Sequence, residues 1–384
     1  MMNRRILLIG HSGDLYGASR SLLKLTSILS SEGHEVFVLI PEKGPIWERL
    51  LLILPQEQII IDTSLYIFTR KSFKLRYIGS TIFKFVRSAG TIAGIIRKKR
   101  IDIVHTNSGV VPGGALASKI MGKKHLWHIR EWFGDFKSFW PIYSSYMTTL
   151  SDRIICVSET MASQFKKNNR IIAVYNGFLV PEEVNTPDLD NLTVEKLGKA
   201  DLVIGCTSRI RLMRKGQEYL IEAVGILTSS TNKNIHIVLV GDYVPGYEEQ
   251  RHTLESMIEK FGLKDRVHFL GHVADALPYY KLFDLFVLPS GEPEPFGGVV
   301  MEAMSMGLPI IGSNVGGTTE QVEDGRNGYL FENKNPVDLA EKIEHFLSGK
   351  SKLKEFGDRS IERIRSRFSM DIHKSKILEI YDSI

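Results

Sequence analysis

Gly291-Glu292-Pro293-Glu294-Pro295-Phe296-Gly297-Gly298-Val299-Val300-Met301-Glu302-Ala303-Met304 runs from a turn-forming stretch straight into a helical pattern, with carboxylates eight positions apart at Glu294 and Glu302. Gly297 and Gly298 fall where the helix begins. The first N–H groups of a helix have no intrahelical partner and carry the positive end of its dipole. Glycine there lets backbone approach a ligand closely, an arrangement suited to phosphate. Glu294 in the loop and Glu302 on the helix are acceptors when ionised, and hydroxyls are their natural partners. Phosphate flanked by hydroxyl-rich groups describes a nucleotide sugar. The alternative is a helix whose glutamates are merely solvated.

Outward from this stretch, short apolar runs alternate with amphipathic ones. Strands are expected over 5–9, 36–40, 58–61, 101–105, 125–128, 153–157 and 171–174, with helices over 18–31, 80–99, 113–121 and 158–167 between them. Such alternation predicts a parallel sheet flanked by helices. Residues 180–196, rich in Pro, Asp, Glu and Asn, read as an interdomain linker. A second alternation follows: strands over 202–206, 236–240, 267–269, 285–288 and 309–312, helices over 216–227 and 248–261 and from Gly298. Helical patterns over 337–347, 353–365 and 370–381 end the chain. The reading is an α/β chain with two doubly wound halves, and ligands belong in a cleft between them.

A chain of 384 residues, 43% hydrophobic and 24% charged, suits a soluble protein of two domains. No apolar run approaches bilayer-spanning length. Met1-Met2-Asn3-Arg4-Arg5 resembles a signal peptide only superficially, because the apolar run after it is too short; it reads as lead-in to a buried strand. Cys156 and Cys206 lie in separate apolar runs without metal-ligand spacing, which fits a reducing cytoplasm. Net charge divides unevenly: residues 1–180 carry +13 and residues 181–384 carry −8. Most of the excess lies between Asp62 and Asp102, which enclose ten Lys and Arg and no acid. Phe73, Tyr77, Ile78, Ile82, Phe83, Phe85 and Val86 are threaded among them. This 70–100 region suits an anionic membrane surface. A packed helix pair whose cations snorkel to water, and single-stranded nucleic acid, are the other readings; the expectation is a membrane and no nucleic acid.

From Glu294 to Leu330 the chain resembles the donor-site signature of the retaining glycosyltransferases of family GT4, which have the GT-B fold. The likeness rests on the Glu294/Glu302 pair, Gly307-Leu308-Pro309-Ile310, Gly316-Gly317 and Asn327-Gly328-Tyr329-Leu330. It implies an acceptor-binding Rossmann-like domain over 1–178, a nucleotide-sugar-binding one over 179–368, and a helix over 369–384 crossing back to the first. It implies retention of configuration, a UDP- or GDP-sugar donor, a glycan or lipid-linked acceptor, and no cofactor. Within it, Glu294 is a catalytic candidate, and Phe296, Gly297, Gly298, Val299 and Glu302 are donor-binding ones.

Thr207-Ser208-Arg209-Ile210-Arg211-Leu212-Met213-Arg214-Lys215-Gly216 follows a strand, where cations can clamp a diphosphate. The stretch resembles the family's Arg–Lys–Gly motif, whose two cations neutralise the departing nucleoside diphosphate. Lys215 carries over directly; a gap one residue longer than the common form leaves Arg209 and Arg211 both in play, with Arg209 the first choice. Gly241-Asp242 resembles the turn near the donor's base. Gly10, Gly13 and Gly17 follow the first strand with spacing wrong for a dinucleotide fingerprint, although Glu42 could mimic that fingerprint's ribose acid. They look more like the family's G-G-x-E loop, with Tyr16 and Ser19 replacing its first Gly and its acid, so Gly17 alone carries over. His128 resembles the first-domain histidine near the donor sugar, against the alternative of a structural histidine; His105 is a second candidate, and Asn107 stands where the family often has another. Asp188-Leu189-Asp190 is the only D-x-D and falls in the linker. Phosphate charge is then left to Arg209, Lys215 and the helix start, without a metal. An epimerase or phosphorylase of the same fold, glycoside hydrolysis by the glutamate pair, and a non-catalytic nucleotide-sugar binder are the competing readings. The favoured one is a cytoplasmic enzyme of surface polysaccharide or glycolipid synthesis, peripheral on the inner face of the membrane.

Overall fold

The computed structural model describes residues 3–134, 136, 139–187, 189–244, 246–247 and 249–384. Met1, Met2, Asp188 and Glu248 lie outside the described residues, as do the side chains of Arg70 and Phe73. The chain divides into two compact units, Met1–Asn176 with His373–Ile384, and Gly177–Ile372.

Unit one runs β1 (Arg5–Ile9), α1 (Gly17–Ser31), β2 (Glu35–Ile40), α2 (Pro45–Leu51), β3 (Ile59–Ile61) and α3 (Ile78–Lys99). It continues through β4 (Ile103–Thr106), α4 (Gly113–Ile120), β5 (Lys124–Ile129), α5 (Trp140–Leu150), β6 (Arg153–Cys156), α6 (Glu159–Ala162) and β7 (Ile171–Ala173). Its strands lie in the order β3-β2-β1-β4-β5-β6-β7, paired parallel throughout. Parallel strands are covered by helices on both faces, so their side chains are apolar without alternation. Ile6, Leu7, Leu8 and Ile9 accordingly show no exposure at all.

Unit two runs α7 (Asn191–Gly198), β8 (Leu202–Thr207), α8 (Gln217–Ser230), β9 (Ile235–Val240), α9 (Glu249–Lys260) and β10 (Val267–Gly271). Then come β11 (Leu285–Leu288), α10 (Gly298–Ser305), β12 (Ile310–Ser313), α11 (Thr318–Gln321), β13 (Gly328–Phe331), α12 (Pro336–Glu344) and α13 (Lys350–Arg367). Strand order is β10-β9-β8-β11-β12-β13, again parallel. Each sheet thus places its second and third strands on one side of the first and its fourth on the other. This reversal is the switch point of a doubly wound sheet, where ligands bind beyond the carboxyl ends of the strands. Helix α14 (Met370–Asp382) ends the chain, and its residues from His373 onward belong to unit one. There His373 Nδ1 bonds Tyr175 O at 2.7 Å and Tyr381 Oη meets His105 Nδ1 at 2.7 Å. Among the described residues no helix is long and apolar enough to cross a membrane.

Helices α2 and α11 and strand β13 lie outside every expected element, and three further segments differ from the sequence expectation. The 180–196 stretch ends in a helix, α7, started by Asp190, whose carboxylate accepts the Thr193 N–H at 2.9 Å. That cap is the role the D-x-D stretch supplies here. The helix expected over 158–167 stops at Ala162, because the Gln164 side chain turns inward to accept the Phe133 N–H at 2.7 Å. Helix α5, Trp-Pro-Ile-Tyr-Ser-Ser-Tyr-Met-Thr-Thr-Leu, has poor intrinsic propensity and forms by burying Tyr143 and Met147.

Candidate active site

At the switch point of unit two, the loops leaving β8 and β11 lie against each other. Gly216 has φ of 76°, and a Cβ there would stand 1.8 Å from Pro289 O, so no other residue fits. Gly291 donates to Arg214 O at 3.0 Å, and a Cβ on it would meet Met213 O at 2.3 Å. These approaches set Lys215 Nζ on Glu294 Oε1 at 2.5 Å, and Ser290 Oγ donates to the same oxygen at 3.1 Å. The Glu294 carbonyl accepts the Gly317 N–H at 2.7 Å. Gly316, at φ 63°, passes so close that a Cβ would lie 2.5 Å from that carbonyl. The glycine pair therefore holds the glutamate's backbone in place.

Glu302, one turn into α10, accepts from Tyr280 Oη at 2.9 Å, and the same hydroxyl lies 3.2 Å from Val299 O. Burial, reinforced by the Glu302 charge, pushes the Tyr280 phenol well above its ordinary range, so it stays a donor. The start of α10 departs from the expectation in one respect. Gly297 N–H goes to Gln321 Oε1 at 3.1 Å, and Gln321 Nε2 returns a bond to Gly297 O at 2.9 Å. Gly298 is exposed, with open space where a Cβ would be. Phe296 is buried, its ring 5.6 Å from Phe368.

Arg209 is exposed, whereas Arg211 lies over the Tyr247 ring at 4.8 Å and donates to its hydroxyl at 3.2 Å. Gly241 (φ 131°) bonds Gly271 O at 2.8 Å and passes close enough to the β8 loop that a Cβ would meet Ser208 O at 2.2 Å. Lys215, Glu294 and Gly241 thus gather about one end of the unit-two sheet.

Unit one has its own polar cluster at the corresponding strand ends. Arg130, just past β5, donates from Nε to Asn107 Oδ1 at 3.1 Å and from Nη1 to Asn176 Oδ1 at 2.9 Å. Its Nη2 lies 3.3 Å from His128 Nδ1. His128 is only 1% exposed, and its Nε2 has no hydrogen-bond partner. With Nδ1 accepting from the arginine, the remaining ring proton sits on Nε2. Burial, then the Arg130 charge, holds both His128 and His105 well below the ordinary imidazole range, so both are neutral near pH 7. Asn107 Nδ2 donates to Ala18 O at 2.9 Å, tying the cluster to the start of α1, where Gly17 is exposed. Asp14 accepts from Ser19 Oγ at 2.9 Å and from Tyr16 N–H at 3.0 Å, filling out a loop that departs from the family's Gly-Gly-x-Glu.

Sequence reasoning missed Arg130, Asn107 as its partner, Tyr280 and Gln321. Arg130 stands two residues after His128, but only the fold shows three side chains converging on it. Tyr280 belongs to no motif.

Comparison with known proteins comes to the same place. A family model described as Glycosyltransferase Family 4 matches residues 16–178, and one described as Glycosyl transferases group 1 matches residues 191–363. An uncharacterised glycosyltransferase of Methanocaldococcus jannaschii is 28% identical over 303 residues, 76% of this chain and 78% of that one. The capsular polysaccharide biosynthesis glycosyltransferase CapM of Staphylococcus aureus is 28% identical over 239 residues, 60% of this chain and 61% of CapM. Among solved structures, Anabaena HepE in complex with UDP-glucose superposes with a TM-score of 0.79 at 22% identity, covering all of both chains. The two family models lie end to end over both units, and the chain belongs to the glycosyltransferases of family 4, with the GT-B fold.

Proposed function

We propose that this glycosyltransferase moves a sugar from a nucleotide-sugar donor to a glycan or lipid-linked acceptor, with retention of configuration, in surface polysaccharide or glycolipid synthesis. The observation that carries the proposal is the Lys215–Glu294 contact at the unit-two switch point, which joins the loops after β8 and β11. Lys215 and Arg209 meet the diphosphate, the open turn at Gly298 and Val299 receives phosphate oxygens, and Glu294 and Glu302 accept from sugar hydroxyls. Phe296 packs behind this turn, Gly297 fixes it to Gln321, and Gly241 lies toward the base. As the glycosidic bond to phosphate breaks, the positive charge of Lys215 and Arg209 stabilises the leaving diphosphate, whose oxygen takes the acceptor's proton. Retention and the absence of a metal from this scheme follow the family resemblance.

In unit one, the family resemblance gives Gly17 a part in phosphate binding and His128 one in sugar binding, the latter through Arg130, whose guanidinium His128 helps to orient. HepE binds UDP-glucose, which favours a UDP-sugar here; CapM's part in capsule synthesis favours a polysaccharide or lipid-linked acceptor, handled on the inner face of the membrane.

The test is nucleoside diphosphate release from UDP-, GDP- and ADP-sugars, with and without anionic vesicles carrying a lipid-linked sugar. Release from one donor, stimulated by those vesicles and matched by glycosylated acceptor, is the expected result. Donor conversion without acceptor product would identify an epimerase or hydrolase instead, and donor binding without turnover a non-catalytic binder.

A further inference from the structure

Helix α3 has two dissimilar halves. From Ser88 onward it is built into unit one: Ala89, Ile92 and Ile96 are buried, and Ser88 Oγ accepts the Tyr66 N–H at 3.0 Å. A Cβ on Gly113 of α4 would lie 3.0 Å from Ile92, so the two helices are in close contact there. Before Ser88 the apolar side chains other than Phe85 are bare: Ile78 is 45% exposed, Ile82 56%, Phe83 67% and Val86 56%.

At about 100° per residue, Ile78, Ile82 and Val86, spaced by four, make one stripe along the helix, with Phe83 at its margin. Arg87 and Lys84 follow Phe83 around the circumference, both exposed. Phe85 lies on the other margin, about 20° around the helix from Ile78, and its ring is edge-on to Tyr146 at 6.1 Å, so the packed side begins there. The stripe is thus an exposed apolar band with cations along its Phe83 side, in a stretch from Asp62 to Asp102 that contains no acidic residue between its ends. Contiguous exposed apolar side chains of this kind mark an interaction surface.

Charge selects the occupant. A second copy meeting this face through a two-fold axis would bring Lys84 and Arg87 against their own kind. An anionic bilayer surface offers an apolar layer for the stripe and phosphates for its border at the same depth. We propose that the first half of α3 lies in the plane of an anionic lipid surface, with Ile78, Ile82, Phe83 and Val86 at the acyl boundary and Lys74, Arg76, Lys84 and Arg87 among the headgroups. The assignment deepens the membrane-side acceptor reading and rests on it for its purpose, but it is tested without donor or turnover.

The experiment is co-sedimentation of the full chain with phosphatidylcholine vesicles, with or without about a third phosphatidylglycerol. Binding to the anionic vesicles alone is expected. An Ile82→Ser/Phe83→Ser variant should bind at least ~10-fold more weakly. A Lys84→Gln/Arg87→Gln variant should bind more weakly and with a flatter salt dependence. Both pairs are exposed, so circular dichroism and thermal midpoint should match the parent. Undiminished binding by the serine variant would overturn the proposal. So would absence of sedimentation by the parent, or a doubling of its solution mass that the serine variant abolishes, which would assign the stripe to a second copy. A chain that sediments as expected yet turns over no donor would leave this surface standing and remove the transferase reading.

Discussion

Lys215 and Glu294 meet at 2.5 Å with 25% and 19% of their side-chain surface exposed, so the pair is largely enclosed. In the proposed reaction, the diphosphate competes for this ammonium and releases the carboxylate toward sugar hydroxyls. Removing the amine takes away a cation for the leaving group and leaves Glu294 facing phosphate with its charge unopposed. Lys215→Ala should therefore lower turnover by roughly 10²–10³, as for loss of one charge-stabilising donor. Steady-state release of nucleoside diphosphate reads this, and near-normal turnover would remove Lys215 from the site. Tyr280→Phe makes a gentler change. It deletes the hydroxyl on Glu302 and frees that carboxylate to rotate, at about 1 kcal/mol of stability. The expected signature is a several-fold rise in donor KM with kcat nearly unchanged; an unchanged KM would mean that Glu302 does not touch the donor.

At the scale of elements, most strands and the long helices were legible because parallel strands and amphipathic helices write their burial into the sequence. Strand β11 and the start of α10 lie where the apolar runs placed them. Helices α5 and α7 were illegible, since Tyr143 and Met147 hold the first by tertiary contact and an Asp190 cap starts the second within a linker-like stretch. The glutamate pair and the Lys215 loop could be read from types and spacing. Gly316-Gly317 stands out as a motif but its hold on Glu294 does not, and Tyr280 and Gln321 reach Glu302 and Gly297 only through folding. Gly316 makes this testable. In Gly316→Ala, the φ of 63° and the 2.5 Å approach to Glu294 O both act against the methyl group, with a backbone cost of about 1–3 kcal/mol. Because the strain falls on the Glu294 backbone, turnover should drop more steeply than thermal stability. The reverse ranking would make the Gly316-Gly317 turn a purely structural feature.

For the whole molecule, the uneven charge is matched by an uneven set of buried histidines. His105, His125, His128 and His373 all lie in unit one, and burial lowers each, His125 to about 3 and His373 to about 4. An imidazole depressed in the fold binds its proton more readily when unfolded, at about 6.5. Protons therefore favour the unfolded chain. Unit one keeps its full stability above pH 6.5 and loses it as pH falls toward the folded values, at up to about 1.4 kcal/mol per pH unit for each histidine. Trp47, Trp127, Trp132 and Trp140 are the only tryptophans of the chain and all belong to unit one, so selectively excited tryptophan fluorescence follows that unit alone. Urea unfolding followed by fluorescence should give a constant midpoint from pH 8 to 7 and a falling one from 6.5 to 5.5. Ordinary carboxylates are still ionised over that lower window, so they do not supply the slope. A midpoint that stays level down to pH 5.5 would mean that these rings are protonated as easily in the fold as outside it.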